Sequence, residues 1–144
     1  MAQVKRAAVA ALLAGAIAAP AAQAAPFNAS LDHAYGLAAA YGGGGPLGCS
    51  TLDREIVPNG SLPNGALGEA TETSPGEEVE CTLYISRSLA RPAGIGTACA
   101  VEIHELGHLR GLGHSDDPQS VMYPSLTRLP ALCWRALWRW EASR

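Results

Sequence analysis

Residues 104–114 read His-Glu-Leu-Gly-His-Leu-Arg-Gly-Leu-Gly-His, a stretch that contains three of the four histidines of the chain. On a helix, His104 and His108 are four positions apart, so both side chains project from one face and can bind a single metal ion. Gly111 can adopt a left-handed backbone conformation at no steric cost, which ends the helix and lets His114 approach from another direction. Three histidine ligands that leave one coordination position open are typical of a catalytic zinc site.

Glu105 is the acid that such a site requires. One step round the helix from His104, its carboxylate can reach a water at the open position without ligating the metal. Zinc lowers the pKa of that water, and an unligated glutamate accepts the proton as the water attacks a carbonyl. The alternative is a set of ordinary polar residues on an exposed helix face, which the complete motif disfavours. We therefore predict one catalytic Zn²⁺ held by His104, His108 and His114, with Glu105 as the general base.

The segment after the third histidine extends the pattern. Ser115 follows His114 directly, Pro118 lies four positions after that histidine, and Met122 lies eight positions after it. With these residues in register, the 21 residues from 104 to 124 resemble the metzincin zinc endopeptidases, and most closely the matrixins. The resemblance implies that Met122 forms the structural Met-turn beneath the histidines. It also implies that the substrate is a peptide or a protein.

The same resemblance implies an α+β fold. The expected architecture is a compact metzincin-like domain in which a small twisted mixed sheet is backed by the active-site helix and a C-terminal helix. A substrate cleft would separate the part that carries the sheet from the part after the Gly turn, and residues 124–126 would wall a specificity pocket. The family's structural zinc and calcium do not carry over, because its His- and Asp-rich segment is absent. Latency through a thiol does not carry over either, because Cys49 lacks the cysteine-switch context.

The first residues resemble a secretory signal peptide. Lys5 and Arg6 precede an unbroken run of small or apolar residues, Ala7 to Ala19, which is too short to span a bilayer. An A-x-A cleavage site follows at residues 22–24. We predict a signal peptide over 1–25 and a single matrixin-like metallopeptidase domain over 26–144, exported to the extracellular space without stable membrane insertion. An uncleaved anchoring helix is the alternative, but the run has no polar face for a surface helix.

The net charge of the chain indicates which classes of binding partner are disfavoured. The 144 residues carry a formal net charge of −3 and no basic patch, which argues against nucleic-acid binding. Acidic residues collect between Arg54 and Arg87, without the alternating Asp/Asn and Gly pattern of a calcium loop. We predict a solvated acidic loop there, with calcium left open, and a monomeric protein.

The four cysteines agree with export. Cys49, Cys81, Cys99 and Cys133 are even in number and widely spaced, as expected for two disulfides in an oxidising compartment. Four cysteines allow three pairings, among which sequence alone does not choose. We carry forward Cys49 with Cys81 and Cys99 with Cys133, because the second pair would tie the start of the zinc helix to the C-terminal helix.

Residue periodicity predicts the elements around the site. Short runs predict a helix over 29–40, a strand around 55–57 and a C-terminal helix over 129–143. The strict alternation over 79–86 predicts a strand with one buried face. That strand is either a sheet edge that pairs with an extended peptide or an ordinary sheet strand. The zinc helix is expected from Ala98 to about Arg110, capped by Thr97, with Ala98, Val101, Leu106 and Leu109 facing the core.

Two functions remain for this sequence. The first is a secreted zinc endopeptidase that hydrolyses peptide bonds with a metal-activated water and a glutamate general base. The second is a secreted zinc-binding protein of metzincin fold without proteolytic activity, acting as a binding module. Retention of Glu105 favours the peptidase, because holding zinc does not require a base at that position.

Overall fold

The structure is a computed structural model, and it describes residues 29–41, 47–74, 76 and 78–135. The signal peptide that we predict over 1–25 lies outside these residues. So does the part of the C-terminal helix after position 135, whereas residues 131–135 are helical as predicted.

A three-stranded mixed sheet forms one layer of the fold. Its strands are β1 (Thr51–Val57), β2 (Gly68–Thr73) and β3 (Glu80–Ser86), in the spatial order β1-β3-β2. β1 pairs with β3 in parallel, and β2 pairs with β3 in antiparallel fashion. β3 is therefore the central strand, with a neighbour on each side. Of the two alternatives for residues 79–86, the peptide-pairing edge is wrong and the ordinary sheet strand is confirmed.

The alternation in β3 is confirmed by its burial. The side chains of Cys81, Leu83 and Ile85 are at most 1% exposed, and they belong to the core cluster. Thr82 and Tyr84, on the opposite face, are half-buried. The core therefore lies on one side of the sheet, where the helices pack.

Part of the segment that we expected to be an acidic loop is strand β2. Its sequence, Gly-Glu-Ala-Thr-Glu-Thr, has no large apolar residue and so lacks the alternation that marks a half-buried strand. A Cβ at Gly68 would overlap Val101 and come within 3.3 Å of the Glu105 carboxylate, so the strand begins against the central helix. Small residues give this strand no recognisable strand pattern in the sequence. Its close packing against α2 requires those same small residues.

Two helices form the second layer. α1 (Ala29–Tyr41) confirms the predicted N-terminal helix, and α2 (Ile95–His108) carries the first two histidines and packs against α1. The predicted start of α2 is wrong. The N-cap residue is Gly94, with no side-chain cap, and Thr97 lies within the first turn. Short 3₁₀ turns at Arg87–Leu89 and Pro92–Gly94 lead the chain from β3 into this helix.

α2 is buried on nearly all sides. The four residues predicted to face the core are at most 7% exposed, and four more apolar positions are buried with them: Ile95, Cys99, Ala100 and Ile103. A helix that is apolar round most of its circumference is a central element rather than an amphipathic surface helix. His104 and His108 therefore stand on the most deeply packed helix among the described residues.

Charged side chains also join the two layers. Arg54 of β1 donates from one nitrogen to Glu102 of α2 (2.9 Å) and from the other to Asp32 of α1 (3.0 Å). Its guanidinium lies 4.1 Å from the centre of the Tyr35 ring. Glu102 is fully buried, and burial raises the pKa of its carboxyl to about 7 even though Arg54 opposes the rise. One arginine thus connects a strand and both helices.

Both disulfides that we carried forward from the sequence are present. Cys49 joins Cys81 with Cα atoms 5.7 Å apart, and Cys99 joins Cys133 with Cα atoms 5.5 Å apart. The first ties the segment before β1 to β3, and the second ties α2 to the helical residues 131–135. Within the described part of the chain, neither helix has the length and apolar character needed to cross a bilayer.

Two glycine-to-alanine substitutions should have opposite effects on stability. A Cβ at Gly94 would lie 2.6 Å from the carbonyl oxygen of Leu89, a backbone atom that cannot move aside, although its φ of −90° suits any residue. We expect Gly94→Ala to lower the unfolding free energy by about 1 to 3 kcal/mol. Gly36 lies within α1, and a Cβ added there would have no atom within 4 Å. Gly36→Ala should therefore raise the unfolding free energy by roughly 0.5 to 1 kcal/mol. Denaturant titration measures both, and an unchanged or higher unfolding free energy for Gly94→Ala would contradict the packing at Gly94.

Candidate active site

The end of α2 sets the direction of the chain into the site. The N–H of Gly111 donates to the carbonyl of His108 (2.8 Å), and the N–H of Leu112 donates to that of Gly107 (3.0 Å). With Gly111 at φ 82°, these two bonds form a Schellman motif. The left-handed glycine predicted from the sequence is confirmed, and it turns the chain so that His114 faces the helix.

The three predicted histidines are brought together. Ring centroids are 4.7 Å apart for His104 and His108, 4.8 Å for His108 and His114, and 5.2 Å for His104 and His114. One ring nitrogen from each lies within 4.8 Å of the others. Among the described residues, this is the one group of three or more His, Cys, Asp or Glu side chains close enough to share a metal ion.

Backbone carbonyls fix the tautomer of two of these rings. The Nδ1–H of His104 donates to the carbonyl of Val121 (2.7 Å), and that of His108 donates to the carbonyl of Leu112 (2.8 Å). A carbonyl oxygen only accepts, so each Nδ1 carries the proton and each Nε2 is left with a free lone pair. Burial lowers the pKa of His104, which favours its neutral form. Both rings therefore present the nitrogen that a metal ion binds.

The separation of these nitrogens tests whether a metal fits. The Nε2 atoms of His104 and His108 are 3.1 Å apart. With zinc–nitrogen bonds of about 2.0 to 2.1 Å, two ligands of one tetrahedral ion lie about 3.3 Å apart. Without a proton between them, two lone pairs at 3.1 Å repel each other, and a shared cation removes that repulsion. The donor set and its geometry fit a zinc ion.

Glu105 lies beside the histidines and is nearly buried, at 8% exposure. Burial raises the pKa of its carboxyl, while its electrostatic interaction with His108 and a hydrogen bond from the backbone N–H of Ala70 lower it. The carboxylate is thus held between α2 and β2 at the wall of the cleft. A carboxyl whose pKa is raised by burial in a cleft has the property expected of a general base.

Met122 packs against α2 at Gly107. It is 7% exposed, and a side chain at Gly107 would overlap its thioether. The carbonyl of Met122 accepts from the N–H of Ser115 (2.9 Å), which ties this turn to the residue after His114. Gly107 is therefore needed in the motif so that the Met-turn can approach the helix.

A cleft of about 650 Å³ opens over the histidines. One wall consists of the start of β2 and the loop before it, residues 63–70. The opposite wall consists of Tyr123 and residues 124–126, the segment expected to wall a specificity pocket. Sequence reasoning missed the first wall, because residues 63–70 consist of turn residues, small residues and one acid, with Leu67 as their single large apolar residue. The local signal in this stretch is the turn sequence Pro-Asn-Gly over 63–65, where Asn64 and Gly65 have positive φ.

Comparison with known proteins agrees with this geometry. The matrixin family model matches residues 64–132. Matrilysin from Felis catus is 44% identical over 64 residues, which is 44% of this chain and 24% of matrilysin. Metalloendoproteinase 1 from Glycine max is 59% identical over 27 residues, and Metalloendoproteinase 2-MMP from Arabidopsis thaliana is 57% identical over 28. Each plant match covers 19% of this chain.

The matched part is small relative to these relatives. The chain spans about a quarter of the length of the matrilysin and less than a tenth of the length of each plant protein. No solved structure matches the chain significantly. The family match nevertheless covers α2, the three histidines, Glu105 and Met122. Over residues 64–132 the chain is therefore similar to the matrixins, which supports a matrixin-type metzincin site of the zinc metallopeptidase class.

Proposed function

We propose that this protein is a secreted zinc endopeptidase in which His104, His108 and His114 hold one catalytic zinc ion and Glu105 is the general base. The observation that carries the proposal is the convergence of three imidazoles, two of them with Nε2 left free by backbone bonds to Nδ1, beside a nearly buried carboxylate. A binding module that only stored zinc would need the imidazoles and would not need that carboxylate.

The residues of the chain have separate roles in the proposed reaction. When bound, zinc polarises the scissile carbonyl and makes a water acidic enough to attack it near neutral pH. The Glu105 carboxylate accepts the proton of the attacking water and passes it to the leaving amine. The Ala70 N–H holds that carboxylate in place, and the carbonyls of Val121 and Leu112 hold two of the imidazole rings. Met122 supplies an apolar floor beneath them.

The substrate class follows from the walls of the cleft. β2 pairs with β3 along one edge only among the described strands, so its other edge is available to an extended peptide. Main-chain hydrogen bonds to β2 recognise peptides of any sequence, and the segment 124–126 on the opposite wall contacts their side chains. The proposed substrate is therefore an unfolded segment of a peptide or protein.

Export is part of the proposal. Two disulfides within about a hundred residues suit an oxidising compartment. Residues 1–25 then act as a signal peptide that is removed, and residues 26–144 form one extracellular domain that works as a monomer.

Zinc content and cleavage, measured together, test the proposed function. The chain after signal removal, residues 26–144, should bind one zinc ion, counted by atomic absorption, and should cleave an unfolded protein such as reduced casein. A chelator should abolish cleavage because it removes the ion, and added zinc should restore it. One zinc per chain without cleavage of a broad substrate panel would instead support the non-proteolytic binding module.

A further inference from the structure

Among the described residues, acidic side chains line the cleft without basic ones of fixed charge to balance them. Its described lining contains two carboxylates, Glu69 and Glu105, and neither lysine nor arginine. Glu105 is nearly buried and is accounted for by the proposed reaction. Glu69 is half-exposed at the cleft, and the ion pairs among the described residues all belong to Arg54. Glu69 is thus a charge at the cleft wall that the described chain does not neutralise.

The sheet register determines on which face of the sheet the Glu69 side chain lies. Glu69 lies opposite Tyr84 of β3, and Tyr84 lies opposite Glu55 of β1. Residues directly opposite each other point to the same face of a sheet, so these three side chains form a row across it. Gly68 precedes Glu69 and faces α2. The Glu69 carboxylate therefore stands on the sheet face away from α2, at the edge where the cleft begins.

An extended peptide on the free edge of β2 continues this row. The peptide residue directly opposite Glu69 would place its Cβ about 4.5 to 5.5 Å from that of Glu69, on the same face. A lysine or arginine at this position brings a cation to an unpaired carboxylate, and a glutamate brings two like charges together. The negative charge of Glu69 also raises the pKa of Glu105, so the two groups already interact across the cleft wall.

We propose that Glu69 determines specificity by selecting substrates with a lysine or arginine at the position paired with it, so that the cleft prefers basic over acidic peptides. This inference rests on the proposed peptidase function. It assigns Glu69 to substrate recognition through a cross-strand ion pair, with no part in the chemical step.

A peptide series in which one residue is varied tests the proposal. Starting from one cleaved peptide, Lys, Gln and Glu are placed in turn at each position flanking the scissile bond. At one position, kcat/KM should be about 3- to 10-fold higher for Lys than for Glu, as expected for an exposed cross-strand pair. In Glu69→Gln this ratio should fall below about twofold, and in Glu69→Lys it should invert.

Glu55→Gln is the matched control. It removes the same charge from the same face and the same row, two strands or about 10 Å away from Glu69, and Glu55 does not line the cleft. This variant should keep the wild-type Lys/Glu ratio. An equal ratio in wild type and Glu69→Gln would overturn the proposal. So would a uniform rate change across all peptides, because it would mean that Glu69 acts only through Glu105.

Binding separates this proposal from the proposed function. The affinity of the same fluorescently labelled peptides, measured by anisotropy, should follow the same order of Lys over Glu and should lose it in Glu69→Gln. A Glu69-dependent order of affinity without cleavage would refute the peptidase and support the recognition role. Cleavage of all peptides without a charge preference would support the peptidase function and refute the recognition role of Glu69.

Discussion

Replacing Glu105 by glutamine should lower kcat/KM for peptide cleavage by about 100- to 10,000-fold, while the chain still binds one zinc ion. Glutamine has nearly the same shape as glutamate and cannot accept the proton of the attacking water. The three imidazoles keep their bonds to Val121 and Leu112, because neither bond involves Glu105. The loss should therefore fall on the chemical step and leave metal binding intact.

Stability gives an internal control for this variant. Burial raises the pKa of Glu105, which means that the folded state bears a cost for its negative charge. A neutral amide removes that cost, so the midpoint of thermal unfolding of Glu105→Gln should not fall below that of the wild type. Two outcomes would contradict the assignment: retention of more than a tenth of the activity, or loss of zinc.

Removing the disulfide between Cys99 and Cys133 should have the second largest effect. The two cysteines are 34 residues apart, and closing a loop of that length stabilises a folded chain by about 4 kcal/mol in the chain-entropy model. Small domains have total stabilities of about 5 to 15 kcal/mol, so the loss is a large fraction of the total. We expect the Cys99→Ala, Cys133→Ala variant to unfold at a markedly lower denaturant concentration, measured at fixed zinc concentration.

The other disulfide provides the matched comparison. Cys49 and Cys81 are 32 residues apart, so the same model gives nearly the same stabilisation for their pair. If constraint of the unfolded chain dominates, the two double variants should lose similar amounts of stability. A loss below about 1 kcal/mol for the Cys99–Cys133 pair would show that this link contributes little to the fold.

The sequence was most informative where chemistry demands particular residues at fixed spacing. The grouping of His104, His108 and His114 and the turn at Gly111 were predictable, because a helix and a left-handed glycine fix the direction of each side chain. β3 was predictable in its limits to within one residue, because one of its faces is buried and its apolar residues alternate. The central position of β3 in the sheet was not predictable, because alternation indicates that one face is buried and does not indicate which strands lie beside it.

Other features depend on tertiary packing and have little local signal. β2 carries Gly68 and Ala70 where a strand usually has β-branched residues, because α2 approaches too closely for larger side chains. The bridge from Arg54 to Glu102 joins residues 48 positions apart, and each looked like an ordinary charge in its own segment. The helix start at Ile95 was missed because Gly94, rather than a capping hydroxyl, precedes it.

The parallel pairing of β1 with β3 has a consequence for how such a protein diversifies. Parallel neighbours require the chain to travel back along the sheet between them, and here residues 58–79 make that return. This returning segment contains β2 and the loop before it. One wall of the cleft is therefore formed by a single continuous segment between β1 and β3. The proposed metal ligands all lie after β3. Loop grafting within 58–67 can therefore reshape what the cleft accepts, in the way that antibody loops vary on a constant framework, while the histidines keep their supports.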